Sequence, residues 1–480
     1  MFADLRASRH HLVIMDGKFD DDGDDDSDYD DDYEHEHGYE HWIGKQTVCT
    51  GWRVGLMRGV LRLLMIGFLP VLCAAAADVA IAPDRMLLVN GQRTFIIGLY
   101  ENPTDDAVLD DVAASGFNLV QCSSDVTAID RLWQRGIYAW VNIGGRTELE
   151  EEDAAGIQAL KDLVATCGPH PGFLVWEISD ESLWGCYLNA YRNQKTLVEM
   201  ANAYHASAAA QAARMARGYQ AMKEIDPRHP IWENYAAGNS HEQVAAHAQG
   251  ADIIGADIYP LMPYPTSPVD VSRRGLGYVG VTTTKMQNAA PEKPVWMVLQ
   301  GMSWGDTNDL FTHKPEPAQY PTYEESRFMA YDAIVRGARG VLYWGTYLVP
   351  KDAQIWKDIL RIARELAGNQ PLLSAPDSPV VPAIETRIFG FVLWDIKGSP
   401  IGVRALGKVV GGQTWWIVAN ELFLDFTYTL RGLDGLEGVA YVETTTGQTA
   451  TVSGGALSFP IPKYGVHVLK PAAPEASETR

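Results

Sequence analysis

The feature that most constrains this fold is a series of eight short apolar segments, each followed by a stretch compatible with a helix. They are FIIGLY (95–100), GFNLVQC (116–122), GIYAWVNIG (136–144), GFLVWEISDE (172–181), HPIWENY (229–235), ADIIGADIYP (251–260), KPVWMVLQG (293–301) and ARGVLYWG (338–345). Near-continuous apolar runs are what parallel strands need when both faces are covered. Eight such βα units match a (β/α)8 TIM barrel, which typically takes about 250 residues plus insertions. A doubly wound open sheet is the alternative, but no glycine-rich phosphate loop follows the first strand. The fold class expected is therefore α/β, with a closed barrel.

The flanking segments read differently. RMLLVNGQRT opens the region as a hairpin, with Asn90-Gly91 as its turn. Helices are expected over TDDAVLDDVAASG, with Thr104 as cap, and over 151–166, about 195–225 and 352–367. Residues 369–380, NQPLLSAPDSPV, read as a linker. From about 381 to 470 the pattern changes to alternation, without helical segments, as in an antiparallel β-sandwich. Residues 471–480 form a Pro/Ala/Glu tail.

Charge narrows the partners. The chain has 39 Lys+Arg against 61 Asp+Glu, a formal −22, which excludes the basic footprint of a nucleic-acid binder. A hydrophobic fraction of 46% excludes a wholly disordered chain, and mean hydropathy of −0.13 excludes a multispanning membrane protein. The acid is uneven. Residues 16–40 hold fourteen acids and one Lys, and residues 1–56 carry a net −10. We read this stretch as solvated chain rather than a metal-binding tail built on His35, His37 and His41. From Met57 the pattern is that of a secretory signal: Arg58 and Arg62, then apolar 63–72, then Ala75-Ala76-Ala77. The expectation is that translation starts at Met57, that 57–77 is cleaved after export, and that 78–368 is the barrel. Lipidation at Cys73 ranks second, because Leu72 before it is large. Residues 78–480 then carry −14 and three cysteines, Cys122, Cys167 and Cys186. An odd count leaves one thiol over and the pairing unread. No CxxC or His/Cys ligand spacing is present, so neither a metal nor a cofactor is expected.

Active sites of such barrels form where strands end and βα loops begin. The polar groups there are Glu101, Asn142, Asp180, Glu181, Glu233, Asn234, Asp257, Tyr259, Gln300, Trp304 and Trp344, with Tyr100, Trp184, Tyr343 and Tyr347 adding aromatic faces. No basic cluster is present to grip a phosphate. Carboxylates beside aromatic platforms suit sugars, whose CH faces stack on rings while their hydroxyls bond to carboxylates and amides.

The motifs on these strands resemble those of the clan of (β/α)8 retaining glycoside hydrolases, the cellulase and β-galactosidase-like superfamily. W-E-I-S-D-E-S (176–182) is similar to the clan's acid/base segment, and Glu181 falls on the carboxyl that protonates the leaving oxygen. D-I-Y-P (257–260) resembles the strand-six tyrosine, and L-Y-W-G (342–345) the strand-eight tryptophan beneath the −1 sugar. The resemblance covers about residues 86–470. It implies an exported O-glycosidase acting on an oligo- or polysaccharide. Glu181 would be its general acid/base, with Asp180 positioning substrate or stabilising positive charge. Tyr100, Glu101, Asn142, Trp184, Asp257, Tyr259, Gln300, Trp304 and Trp344 would bind substrate.

Two departures matter. The strand-four Asn is Asp180, and the strand-seven nucleophile falls on Gln300, which cannot carry a glycosyl ester. The Asp180-Glu181 pair resembles that of β-N-acetylhexosaminidases, where the substrate's own acetamido group is the nucleophile. Otherwise Asp257, Glu101 or Glu233 supplies the second carboxylate, or the barrel binds glycans without cleaving them. Plainer roles compete: Glu177 as a buried carboxylate paired with an Arg, Asp180 as a strand-end cap, and Asp257 as a loop acceptor. Trp133, Trp140, Trp232, Trp415 and Trp416 are expected in the core. Neither the sugar nor the oligomeric state is legible.

Overall fold

The computed structural model describes residues 76–194, 196–261, 275–307, 318–388, 391–394 and 401–472. The acidic stretch, the signal-like segment to residue 75 and the last eight residues lie outside the described residues.

The eight apolar runs are eight parallel strands: Ile96–Leu99, Leu119–Cys122, Tyr138–Gly144, Phe173–Ile178, Ile231–Ala236, Ile253–Ile258, Val295–Gln300 and Gly340–Trp344. Each pairs with its neighbours in chain order, and the eighth pairs with the first, closing the barrel. Helices follow every strand. Ahead of the barrel, Leu87–Val89 and Gln92–Thr94 form the expected hairpin, with Asn90 at φ 51° and Gly91 at φ 76°, and Val79–Ile81 adds a third strand. A two-residue turn with both φ positive matches strand twist, which is why Asn-Gly serves there.

Alternation within the strands sends one set of side chains inward. Tyr100, Trp140, Trp232 and Trp296 pack together in the barrel interior, the first two contacts edge-to-face and the third tilted, with successive ring centroids 5.0, 5.7 and 5.4 Å apart. This packing requires Gly255, since a Cβ there would come 2.0 Å from the Trp296 carbonyl oxygen. Trp140, Trp232 and Trp416 are fully buried, while Trp133 and Trp415 are half-buried.

Two helical expectations shift. The first helix, Asp106–Ala114, is capped not by Thr104 but by Asp105, whose carboxylate accepts from the Ala107 amide at 2.8 Å. Asp105→Ala is expected to cost about 1 kcal/mol in urea unfolding, the usual worth of such a cap. After the fourth strand, a helix over Ser182–Asn193 precedes the long one over Leu197–Ile225.

Among the described residues, 383–471 hold nine strands in two antiparallel sheets of four and five, the expected sandwich. The connecting segment is packed rather than loose. Gln370–Leu373 is helical, and Asp377 takes Arg339 from the barrel at 2.6 Å and Lys408 from the sandwich at 2.7 Å. The helix Tyr323–Val335 is buried over Phe328–Val335 between barrel and sheets. At its end Arg336 makes a two-pronged ion pair with the buried Glu421 at 2.6 and 2.8 Å.

Candidate active site

The fourth strand runs straight into the chemistry. It ends at Ile178, and three residues later Glu181 adopts φ 45°, ψ 42°, the left-handed region, before the next helix begins at Ser182. A non-glycine residue pays about 1–2 kcal/mol for that conformation, so neighbours must impose it. Asn234 on the fifth strand does so from one side. Its carbonyl accepts the Glu181 amide at 3.0 Å, and its Nδ2 donates to Asp180 at 2.9 Å.

Glu181 projects toward Asp257, at the end of the sixth strand, and the two carboxyls lie within hydrogen-bonding reach. Burial first, then the Asp180 charge, raise the Glu181 pKa against the bond from Asp257. Burial together with the charges of Glu181 and Asp180 raises Asp257 well above the carboxylate range. Two such groups share a proton rather than both ionise. The Tyr259 hydroxyl also reaches Asp257. Its ring stacks on Trp344 at 5.3 Å and meets Trp304 edge-on at 6.1 Å. Asp180 is exposed at the mouth of this group, and Glu181, Asp257, Tyr259, Trp304 and Trp344 are half-buried.

Below lies a second layer. Glu177, fully buried, accepts from the Tyr100 hydroxyl at 2.7 Å and from Trp140 Nε1 and Asn142 Nδ2, each at 2.9 Å. The expected arginine partner is not among these, and three neutral donors take its place. Parity explains the placement, since Asn142 and Glu177 are register partners on adjacent strands and so face the same interior. Burial and the Asp180 charge push the Glu177 pKa to about 8, against the pull of its three donors.

The remaining residues expected at the site are engaged elsewhere. Gln300 is fully buried; its Oε1 accepts from the Leu261 amide at 3.0 Å, and its Nε2 donates to the carbonyls of Leu261 at 3.1 Å and Met302 at 3.2 Å. Glu101 pairs with Lys351 at 2.6 Å and accepts from Thr346 at 2.7 Å. Trp184 is 46% exposed and its ring stacks on Tyr187 at 5.1 Å. Glu233 lies buried on the outer side of the fifth strand, against Ser182. The sequence places Asn234 at a strand end and Ser182 beside Glu181, but their roles in holding the turn are not legible there. Among the described residues, no group of three acidic, His or Cys side chains is arranged to hold a metal, and no helix is long and apolar enough to cross a membrane.

No protein-family profile and no curated protein match the chain. Solved glycoside hydrolases share its fold. Gan42B, a GH42 β-galactosidase from G. stearothermophilus, is similar with a TM-score of 0.51 at 9% identity, over 79% of this chain and 98% of that one. A β-galactosidase from Bacillus circulans sp. alkalophilus gives 0.50 at 9% identity, over 79% and 99%. At such identity the likeness is one of fold. The architecture is that of the barrel clan whose motifs the strands resemble.

Proposed function

We propose that the chain is a glycoside hydrolase in which Glu181 is the general acid/base. The observation that carries this is Glu181 itself: a strand-four carboxyl with a raised pKa, set in a left-handed turn beside Asp257 and the Tyr259–Trp344 stack. A carboxyl in that place, drawing on the proton it shares with Asp257, can deliver it to a leaving glycosidic oxygen. Trp344 and Trp304 would floor the sugar, and Asp180 would face its polar edge. Tyr100 and Asn142 would act through Glu177, and Gln300 would hold the backbone at Leu261 and Met302.

The commitments of Gln300 favour a second reading of how the sugar is attacked. With its amide bonded three times to backbone, position 300 offers no nucleophile. Asp257, which burial and the charges of Glu181 and Asp180 hold well above the carboxylate range, keeps its proton where a nucleophile must be ionised. In this reading the substrate's 2-acetamido oxygen attacks the anomeric carbon while the leaving oxygen takes the Glu181 proton. Asp180 holds the amide N–H of the resulting oxazolinium ion, and water, deprotonated by Glu181, opens it. A panel of aryl glycosides with and without 2-acetamido groups tests both readings. Turnover confined to acetamido sugars and blocked by a thiazoline mimic selects substrate assistance; oligosaccharide binding without turnover selects a noncatalytic glycan binder and overturns the proposal.

Charge coupling gives a further test. A raised pKa keeps Glu181 protonated at low pH, and acid catalysis is lost as pH rises through that value. Asp180→Asn removes one of the two raising influences. The alkaline limb of kcat/KM is expected to move to lower pH, whatever happens to its height. A limb that stays put would assign the limb to another group. Export follows the signal-like segment at 57–77; mass spectrometry of protein secreted from a start at Met57 should find the mature terminus near residue 78.

A further inference from the structure

We propose that Glu233 is a positioning residue that, holding a proton, anchors through Ser182 the turn that presents Glu181. This rests on the reading of Glu181 as the acid/base. Asn234 grips the turn on one side, through the Glu181 amide and the Asp180 carboxylate. The other side is the residue after Glu181. Ser182 Oγ lies 2.8 Å from Glu233 Oε1 and 3.4 Å from His247 Nδ1, and all three residues are buried.

The protonation of this chain follows from counting hydrogens. His247 Nε2 sits 2.9 Å from the Ala208 carbonyl oxygen. A carbonyl only accepts, so Nε2 bears the hydrogen; burial lowers the His247 pKa and keeps the ring neutral, so Nδ1 presents a lone pair. The Ser182 hydroxyl has one hydrogen. Were Glu233 ionised, that hydrogen would face two acceptors and one would go without. With a proton on Oε1, Glu233 donates to Ser182 and Ser182 donates to His247. The Tyr235 hydroxyl meanwhile donates to Glu233 Oε2, and no group in the chain is left unmatched. The titratable and charged groups around Glu233 are Tyr235 on its own strand, His247 across Ser182, and at longer range Glu148, which opposes ionisation, and Lys293, which favours it. Burial agrees with the count, pushing Glu233 to about 8.

A neutral amide should replace a neutral carboxyl. In Glu233→Gln the side-chain N–H can donate to Ser182 and the oxygen can accept from Tyr235. We expect this variant to keep kcat within about twofold and to keep the wild-type rate of amide hydrogen exchange over residues 179–187, measured by mass spectrometry. Glu233→Leu and Ser182→Ala cut the anchor. Each should raise exchange in that segment about tenfold and lower kcat at least as much, with KM nearly unchanged; Ser182→Thr should restore both.

Stability tests the proton on Glu233 itself. A carboxyl whose folded pKa is raised holds its full stability below its unfolded pKa, about 4.3, and loses it as pH rises toward the folded value. Glu233→Gln has no such loss, so its urea midpoint should gain on the wild type between about pH 4.3 and 8. If Glu233→Gln behaves like Glu233→Leu, or if Ser182→Ala leaves exchange and kcat untouched, the anchor is wrong. Should the wild type hydrolyse no glycoside, the reading of Glu181 falls, while the exchange and stability results still decide the anchor.

Discussion

Glu181→Gln is expected to lower kcat by roughly 10²–10⁴-fold, the usual contribution of a positioned proton donor. The amide can still bond Asp257, so the turn and its neighbours should hold and KM should change little. Glutamine cannot protonate a departing oxygen, and that step carries most of the barrier for a sugar bearing a poor leaving group. An activated aryl glycoside, whose phenolate leaves unaided, should therefore be spared relative to an alkyl glycoside. Comparing the two substrates in one variant separates lost acid catalysis from lost binding. Unchanged turnover on the alkyl glycoside would remove Glu181 from the mechanism.

Gln300→Glu should destabilise the protein by roughly 2–6 kcal/mol and yield no new nucleophile. The simple expectation is the opposite, that restoring the clan's carboxylate restores its chemistry. Gln300 Nε2 is bonded to the carbonyls of Leu261 and Met302. A carboxylate has no hydrogen to offer them, and each orphaned buried acceptor costs about 1–3 kcal/mol. Oε1, which takes the Leu261 amide, is the one contact that survives the exchange. A lowered urea midpoint, with no covalent labelling by a 2-fluoro glycoside, is the outcome expected. Full stability with labelling at residue 300 would show that the Leu261 and Met302 backbone can yield the position to substrate.

Most of the architecture is legible in the sequence because its signals are local. Eight buried parallel strands write eight apolar runs, and Asn90-Gly91 writes a hairpin. Glu181 is legible because a motif surrounds it. What sequence cannot carry is pairing across the barrel. Glu177 invites an arginine, yet Tyr100 and Trp140, each dozens of positions away, satisfy it. Gln300 reads as a cleft residue until Leu261, just past the sixth strand, is seen to bond it through both its amide and its carbonyl. Thr104 and Asp105 are equally good caps on paper; only the backbone angle at Asp105 chooses between them.

The ion pair between Arg336 and Glu421 bears on how such proteins can be assembled by recombination. Glu421 is fully buried and also accepts the Gly402 amide at 2.6 Å, while Arg336 closes the helix pressed between barrel and sheets. A crossover within residues 369–380 that joined this barrel to an unrelated sandwich would bring a guanidinium to a face with nothing to receive it. Breaking a buried pair in this way costs about 3–5 kcal/mol, a large part of a domain's whole margin. Barrel and sandwich are thus a matched set, and exchange of one demands a carboxylate at the same place in the other.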